Sequence, residues 1–378
     1  MIAVATIGML ALLTLVVGLL LAFTQYLMRR NECFAVTVPA SAQRDPRLVA
    51  LKRRYAMVML ALAAAATVAS LAAGALMVSG QDVIGTVLMC AALLVPVVMS
   101  FVLMLRNRCK VSALKRSEGW GVRSHQAAAS VAEKDLPGAI PLAWDLVYVP
   151  VILGTACLGL VLYPGMPEQL PMHADFAGNV NRYVPKTLGS AIGFPIAFEA
   201  FMAACLVFAH WTILRSKRPA DPGAPATSTL AYGLFARAQS ALLLVTGMLL
   251  SGGSGLLFLL SSAGLIGLGQ AGLVIMMLCV PLVIGGVVLS VVYGQAGSRV
   301  FGRMRDDDGL LADDDEHWKL GVLYFNPGDA SVFLPKRFGV GWTECLGDCR
   351  GSCRPHRGLR RARGQPGRVT KGNHGWSS

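Results

Sequence analysis

Long apolar runs separated by short polar stretches dominate the pattern along the chain. Seven such runs lie at about 2–28, 55–79, 83–105, 143–163, 188–214, 238–262 and 269–293. Each matches the roughly 20 apolar residues that a helix needs to cross a hydrocarbon core. The predicted fold class is an all-α polytopic membrane protein with seven transmembrane helices.

The polar stretches between the runs alternate in charge, and this orients the helices. Basic clusters follow the first, third, fifth and seventh runs: Arg29-Arg30 with Arg44, Arg47 and Lys52-Arg53-Arg54; Arg106, Arg108, Lys110, Lys115, Arg116 and Arg123; Arg215, Lys217 and Arg218; and Arg299, Arg303 and Arg305. The turn Gly80-Gln81-Asp82 and the turn between the last two runs carry no basic residue, and the loop 164–187 carries only Arg182 and Lys186. Positive charge stays on the cytoplasmic side, so the N-terminus is predicted outside and the C-terminus inside. The first run lacks the basic start of a secretory signal and is too long for one.

Composition supports the membrane class: 54% of the residues are hydrophobic and only 15% are charged, too few for a soluble domain of 378 residues. The net charge of +13 would point to nucleic acid if it formed one patch. Six of those charges come from 344–378, with eight Lys/Arg against two Asp/Glu. Most of the rest flank apolar runs, where anionic lipid headgroups are the partners, so direct nucleic-acid binding is not predicted. Cys90, Cys157, Cys205 and Cys279 fall in apolar runs, Cys33 and Cys109 follow basic boundaries, and Cys345, Cys349 and Cys353 lie near the C-terminus. None is in a predicted exterior loop, which argues against a disulfide framework.

Two places outside the basic loops could carry chemistry. The exterior loop holds Pro167, Pro171, His173, Asp175, Gly178, Asn181, Pro185 and Lys186. Its prolines stiffen the backbone and Gly178 permits a turn. His173 and Asp175 offer polar contacts to a ligand, or alternatively satisfy backbone groups in a cap over the helices; one His and one Asp are too few for a metal site. Within the fifth run stands Glu199, an ionisable residue at a depth where charge is costly. It is either functional or a protonated group bonded to a neighbouring hydroxyl; His210, Asp145 and Arg237 are the candidate ionisable partners, all near the cytoplasmic ends. Ser251-Gly252-Gly253-Ser254-Gly255 interrupts the sixth run, as close helix packing or as a broken helix lining a site. No matching break is visible elsewhere. The sequence carries no hydrolase triad context, zinc-protease motif or phosphate-binding glycine loop, so no catalytic residue, metal or cofactor is predicted.

After the last run, the acidic stretch 306–316 reads as a solvated linker. Short aromatic and β-branched runs at 320–325 and 331–334 flank Asn326-Pro327-Gly328-Asp329 and predict a small cytoplasmic β-hairpin packed on the helix ends. From residue 344 Arg, Gly, Ser and Cys take over. The spacing Cys345-x3-Cys349-x3-Cys353, with His356 nearby, departs from zinc-site pairs. This stretch is predicted to be a disordered basic tail, its text like that of a shifted reading frame.

Two segments resemble bacterial domain families. Residues 143–196, with Tyr163-Pro164, Met166-Pro167, Pro171-x-His173, Gly178, Lys186 and Pro195, resemble the domain of unknown function numbered sixteen forty-eight, which also opens SdpI-type immunity membrane proteins. Residues 317–343, with His317, Trp318, Tyr324, Asn326, Pro335, Lys336, Arg337, Phe338 and Trp342, resemble the short domain numbered fifty-eight oh eight. The segment Phe34-x-Val36-x-Val38-Pro39 with Lys52-Arg53-Arg54-Tyr55 is similar to the first cytoplasmic loop of proteins that combine the two. Ala174-Asp175 departs from the pattern after the histidine. The resemblance implies a multi-pass protein of the bacterial cytoplasmic membrane. Two functions compete. A non-enzymatic sensor or immunity-type protein would meet an envelope peptide at the exterior loop and a cytosolic transcriptional regulator at 317–342. A secondary transporter or permease would use Glu199.

Overall fold

The structure, a computed structural model, describes residues 2–29, 31–120, 136–175, 178–217, 221, 224–304, 315–326, 331–338 and 342–345. Arg30, Arg123, Arg218, Arg305, the turn residues 327–329, the acidic residues before 315 and the segment after Cys345 lie outside the described residues. Seven helical spans among the described residues are long and apolar enough to cross a membrane. They are α1 (Ile2–Leu27), α2 (Pro46–Val78), α3 (Asp82–Ser117), α4 (Tyr148–Leu162), α5 (Phe194–Arg215), a sixth span of α6 (Pro225–Gly247) and α7 (Gly253–Ser262) joined by a π turn, and α8 (Leu268–Val292), with a short α9 (Ser298–Met304) beyond it.

Helices are the expected answer for such runs, because lipid offers the backbone no hydrogen-bond partner. Their faces divide by size and polarity. On α3, Val83, Val87, Leu94 and Val98 are exposed along one side, the side that lipid covers. The opposite faces pack closely through small residues: a side chain at Gly18 would collide with Ala63, and one at Gly74 with Ile7. Polar side chains inside the α1–α3 bundle pair with each other. The Tyr55 and Ser100 hydroxyls meet at 2.8 Å, and Ser70 lies 3.4 Å from Thr14.

The second bundle is built from α4, α5, α6 and α7. Gly247 makes room for the Tyr148 ring, whose hydroxyl would lie 1.9 Å from any Cβ there. Helices α1 and α8 join the two bundles. At one end Ile2 and Gly269 both abut Gly178. At the other, Arg299 donates to the Tyr26 carbonyl at 2.8 Å. These contacts define a hairpin end and a basic end.

Among the described residues, four small antiparallel ladders sit at the two ends: β1 (Glu32–Cys33) with β2 (Val36–Thr37), β3 (Gln169–Ala174) with β4 (Val180–Pro185), β5 (Trp318–Lys319) with β6 (Leu323–Tyr324), and β7 (Phe333–Pro335) with β8 (Trp342–Glu344). Of these, β3–β4 lies at the hairpin end.

Three expectations need correction. The sixth span begins at Pro225, not near residue 238. Its first turn is stabilised by the Ser228 and Thr229 hydroxyls, which donate to the Pro225 carbonyl at 3.0 and 2.8 Å, and its Tyr232, Phe235 and Ala236 are buried. The C-terminal β structure has different partners from those expected. Leu320 and Gly321, both at positive φ, turn β5 directly back into β6, while β7 pairs with β8. The glycine break in the sixth span is a π turn (Met248–Gly252), and it has a counterpart after all: a second π turn (Gly189–Gly193) opens the fifth span.

Candidate functional site

At the hairpin end, Leu170 of β3 anchors the ladder in a small core with Met166, Ala191, Ile192 and Leu259. Proline lacks a backbone N–H and sits where a ladder needs none; Pro171 faces Tyr183 and Pro185 faces Gln169. Asp175 shapes the tip: its carboxylate accepts from the Asn179 backbone N–H at 2.7 Å and from the Asn179 side chain at 3.1 Å. Gly178 completes the turn at a φ of 91°. Across the strands, His173 Nδ1 and Asn181 Oδ1 meet at 2.6 Å. Lys186 latches the base, donating to the Met166 carbonyl at 2.9 Å and lying 5.0 Å from the Tyr163 ring centre.

The structure therefore gathers Pro171, His173, Asp175, Gly178, Asn181 and Lys186 in and around one hairpin, and each makes a contact within it or with its neighbours. Beneath the hairpin lies a cavity of about 340 Å³. Its walls are Ile2 and Thr6 of α1, Phe258 of α7, and Leu268, Gly272, Ile275 and Met276 of α8; Met172, His173 and Asp175 form the roof. No pattern in the sequence announces the cavity, because it arises where the first and last spans meet under a loop from the middle of the chain.

Inside the second bundle, Glu199 is fully buried on α5. Neither carboxyl oxygen has a well-formed hydrogen bond, although the Thr155 hydroxyl of α4 approaches the group. None of the ionisable partners expected from the sequence serves it. His210 pairs instead with Asp145 at 3.0 Å, and its Nε2 reaches the Ile140 carbonyl at 2.9 Å. The carboxyl lies against Gly252 and Gly255, which the sequence marked only as a helix break.

At the basic end, Asp315 collects the charges. It accepts from the Thr37 N–H at 3.0 Å, the Thr37 hydroxyl at 2.8 Å and Lys115 at 2.6 Å, and it pairs with Arg337. It does not behave as part of a solvated linker: three other elements hold it. Burial works to raise its pKa, but the Arg337 charge and the hydrogen bonds from Lys115, Arg337 and Thr37 prevail and hold the carboxyl below its usual range. Arg337 also lies 5.2 Å over the Trp318 ring, and Arg108 donates to the Trp318 carbonyl at 3.1 Å. Trp318, Tyr324 and Arg337 are buried, as are Phe333 and Leu334. His317 stacks edge-on to Tyr324, and Asn326 donates to the Tyr324 hydroxyl at 3.2 Å. Gln295 holds the Lys336 carbonyl, Phe338 packs on the α1–α3 core, and Trp342 tilts against Phe235. Pro335 pairs in register with Trp342. The segment is a plate fastened to the helix ends. Its exposed apolar side chains, which sequence reasoning did not single out, are Leu320, Leu323, Phe325 and Val332.

Seven long apolar helical spans among the described residues define a multi-pass integral membrane protein. Within it, residues 151–198 match the family described as Domain of unknown function (DUF1648). The match starts in α4, takes in the whole β3–β4 hairpin and ends immediately before Glu199. No curated protein and no solved structure matches the chain.

Proposed function

We propose that the protein is a membrane sensor or immunity-type protein that receives an amphipathic envelope peptide under the β3–β4 hairpin and reports its presence to a cytosolic transcriptional regulator. The alternation of basic loops puts the hairpin end outside the bacterial cytoplasmic membrane. The observation that carries the reading is the half-open cavity between the hairpin and the ends of α1, α7 and α8. At about 340 Å³ it is near the low end of ligand pockets, the right scale for one or two apolar side chains and not for a whole peptide. Its apolar walls suit such an anchor, and His173 and Asp175 offer a polar, partly acidic rim to a basic group. The prolines Pro167, Pro171 and Pro185 keep the roof stiff, so binding loses less entropy.

On the inside, the exposed Leu320, Leu323, Phe325 and Val332 give the regulator an apolar contact, next to the half-buried His317, Asn326 and Lys336. The match of 151–198 to the DUF1648 family supports this reading, since that domain also opens SdpI-type immunity proteins. A second reading, a secondary transporter or permease, is favoured by one specific observation: of the spans around Glu199, the sixth is interrupted by a π turn and the fifth opens on one, and π turns are frequent at functional sites.

Complementation of a deletion strain challenged with cationic amphipathic peptides separates the two. A Cβ at Gly272 would meet nothing within 4 Å, so Gly272→Trp starts its side chain into open space at the cavity wall. Gly272→Trp and His173→Ala should each abolish protection at unchanged expression and insertion, while Glu199→Gln keeps it. Protection that survives Gly272→Trp rules out the cavity. Protection lost only in Glu199→Gln moves the assignment to transport.

A further inference from the structure

The carboxyl of Glu199 occupies a niche that exists because two positions lack side chains. A Cβ at Gly255 would lie 2.4 Å from Oε2 and 2.9 Å from the carboxyl carbon, and one at Gly252 would lie 3.9 Å from Oε1. The π turn before Gly253 shifts the register of the sixth span and presents this glycine face to α5. The serine hydroxyls of the sixth span are committed to backbone: Ser251 donates to the Glu199 carbonyl at 3.0 Å, and Ser254 donates to the Ser251 carbonyl at 2.9 Å. Both carboxyl oxygens are left buried without a donor of good geometry.

We propose that Glu199 is a reversible proton-binding site in the interior of the helix bundle. This inference depends on neither the peptide reading nor the transport reading. An ionised carboxylate in such a place lacks both water and a counter-charge. The acid form supplies its own hydrogen and finds the Thr155 hydroxyl beside it as an acceptor. Beside the carboxyl stand Thr155 from α4, Gly252 from the π turn and Gly255 from α7, with Val151 next to Gly252 and Ser251 on the Glu199 backbone carbonyl; none of them ionises. On the same elements, Tyr148 lies at Gly247, closer to the basic end, Cys157 and Cys205 are exposed, and His210 is held by Asp145. A bound metal cation fits poorly: hard cations take about six or more oxygens, and this niche offers one carboxylate and one hydroxyl. Packing alone gives no reason for an acid here, since an aliphatic side chain would fill the same space.

A hydrophobic carbodiimide tests the assignment on the full-length protein in detergent or vesicles. A buried carboxylic acid gives its proton to the carbodiimide nitrogen while its oxygen adds to the central carbon, a net addition that increases the mass by one reagent. Peptide mass spectrometry of the wild-type protein should find the adduct on Glu199. Its rate should fall about tenfold per pH unit once the pH passes the midpoint of titration. Glu199→Gln should lose the adduct, and sodium ions at constant pH should leave the wild-type rate unchanged. The wild-type measurements decide the matter even if the Gln variant folds poorly. An absent adduct on Glu199, a rate indifferent to pH, or protection by sodium as strong as that by raised pH would each overturn the proposal, the last in favour of a cation site.

Discussion

Asp315 ties together segments that are distant in the chain. Thr37 comes from the first loop, Lys115 from the end of α3, and Arg337 from the C-terminal plate. Its depressed pKa has a definite consequence. The stabilisation is complete above the unfolded pKa, about 3.9 for Asp, and is lost as the pH falls through the lower folded value. Acid should therefore release the plate from the β1–β2 loop below about pH 4, with little change between pH 5 and 8 from this group. Asp315→Asn should cost about 1–3 kcal/mol at neutral pH, the range for hydrogen bonds to a charged group, seen as a lower melting temperature in detergent. An unchanged melting temperature would mean that the cluster is a surface ornament. The sequence hid this role because Asp315 sits in an acidic run, and acidic runs usually face water. Glu199 was legible for the opposite reason: a lone carboxyl among apolar neighbours stands out. Its glycine niche was not legible, since it depends on the register between two helices.

The hairpin shows what can be read at the scale of an element. Prolines that remove donors and a glycine at positive φ predicted a stiff, turned loop, and β3–β4 is such a loop. What holds it down came only with the fold. A Cβ at Gly269 would lie 2.7 Å from the Gly178 Cα, so the tip of the hairpin rests directly on the first turn of α8. Gly269→Ala must push these backbones apart, at an expected cost of about 1–3 kcal/mol for overpacking. Limited proteolysis should then cut the hairpin faster than in the wild type; an equal rate would show that the contact is dispensable. The first loop was harder to read. Phe34 and Ala35 both take positive φ, a conformation that costs a non-glycine residue roughly 1–2 kcal/mol. The Phe34 ring is fully buried edge-on to Tyr55, and the Gln25 side chain accepts from its N–H at 2.9 Å. Tertiary packing overrides local preference there, which is why β1–β2 does not look like a hairpin in the sequence. The plate at 317–345 fell between these cases: its β-character was legible, but its strand partners followed from the tight Leu320-Gly321 turn and from anchoring on Trp211 and Phe235.

The whole molecule is two helix bundles joined by α1 and α8, with a roof at one end and a plate at the other. Periodicity was of little use, since most spans are apolar on every side; length and the placement of Lys and Arg carried the reading of the seven spans. Topology follows from the same charges. Reporter fusions after Arg116 and at Lys217 should read cytoplasm, and one inserted near Asn179 should read exterior; a cytoplasmic signal at Asn179 would invert the membrane orientation and with it the sensor reading. The claim that the cavity under the roof receives a peptide is tested most directly by a photo-cross-linking residue placed at Gly272, which lines the cavity, and separately at Leu160, which is exposed on a lipid-facing side. Illumination in the presence of a labelled cationic amphipathic peptide should give a peptide adduct at position 272 that excess unlabelled peptide removes, and only lipid adducts at position 160. Equal, uncompeted labelling at both positions would contradict the account.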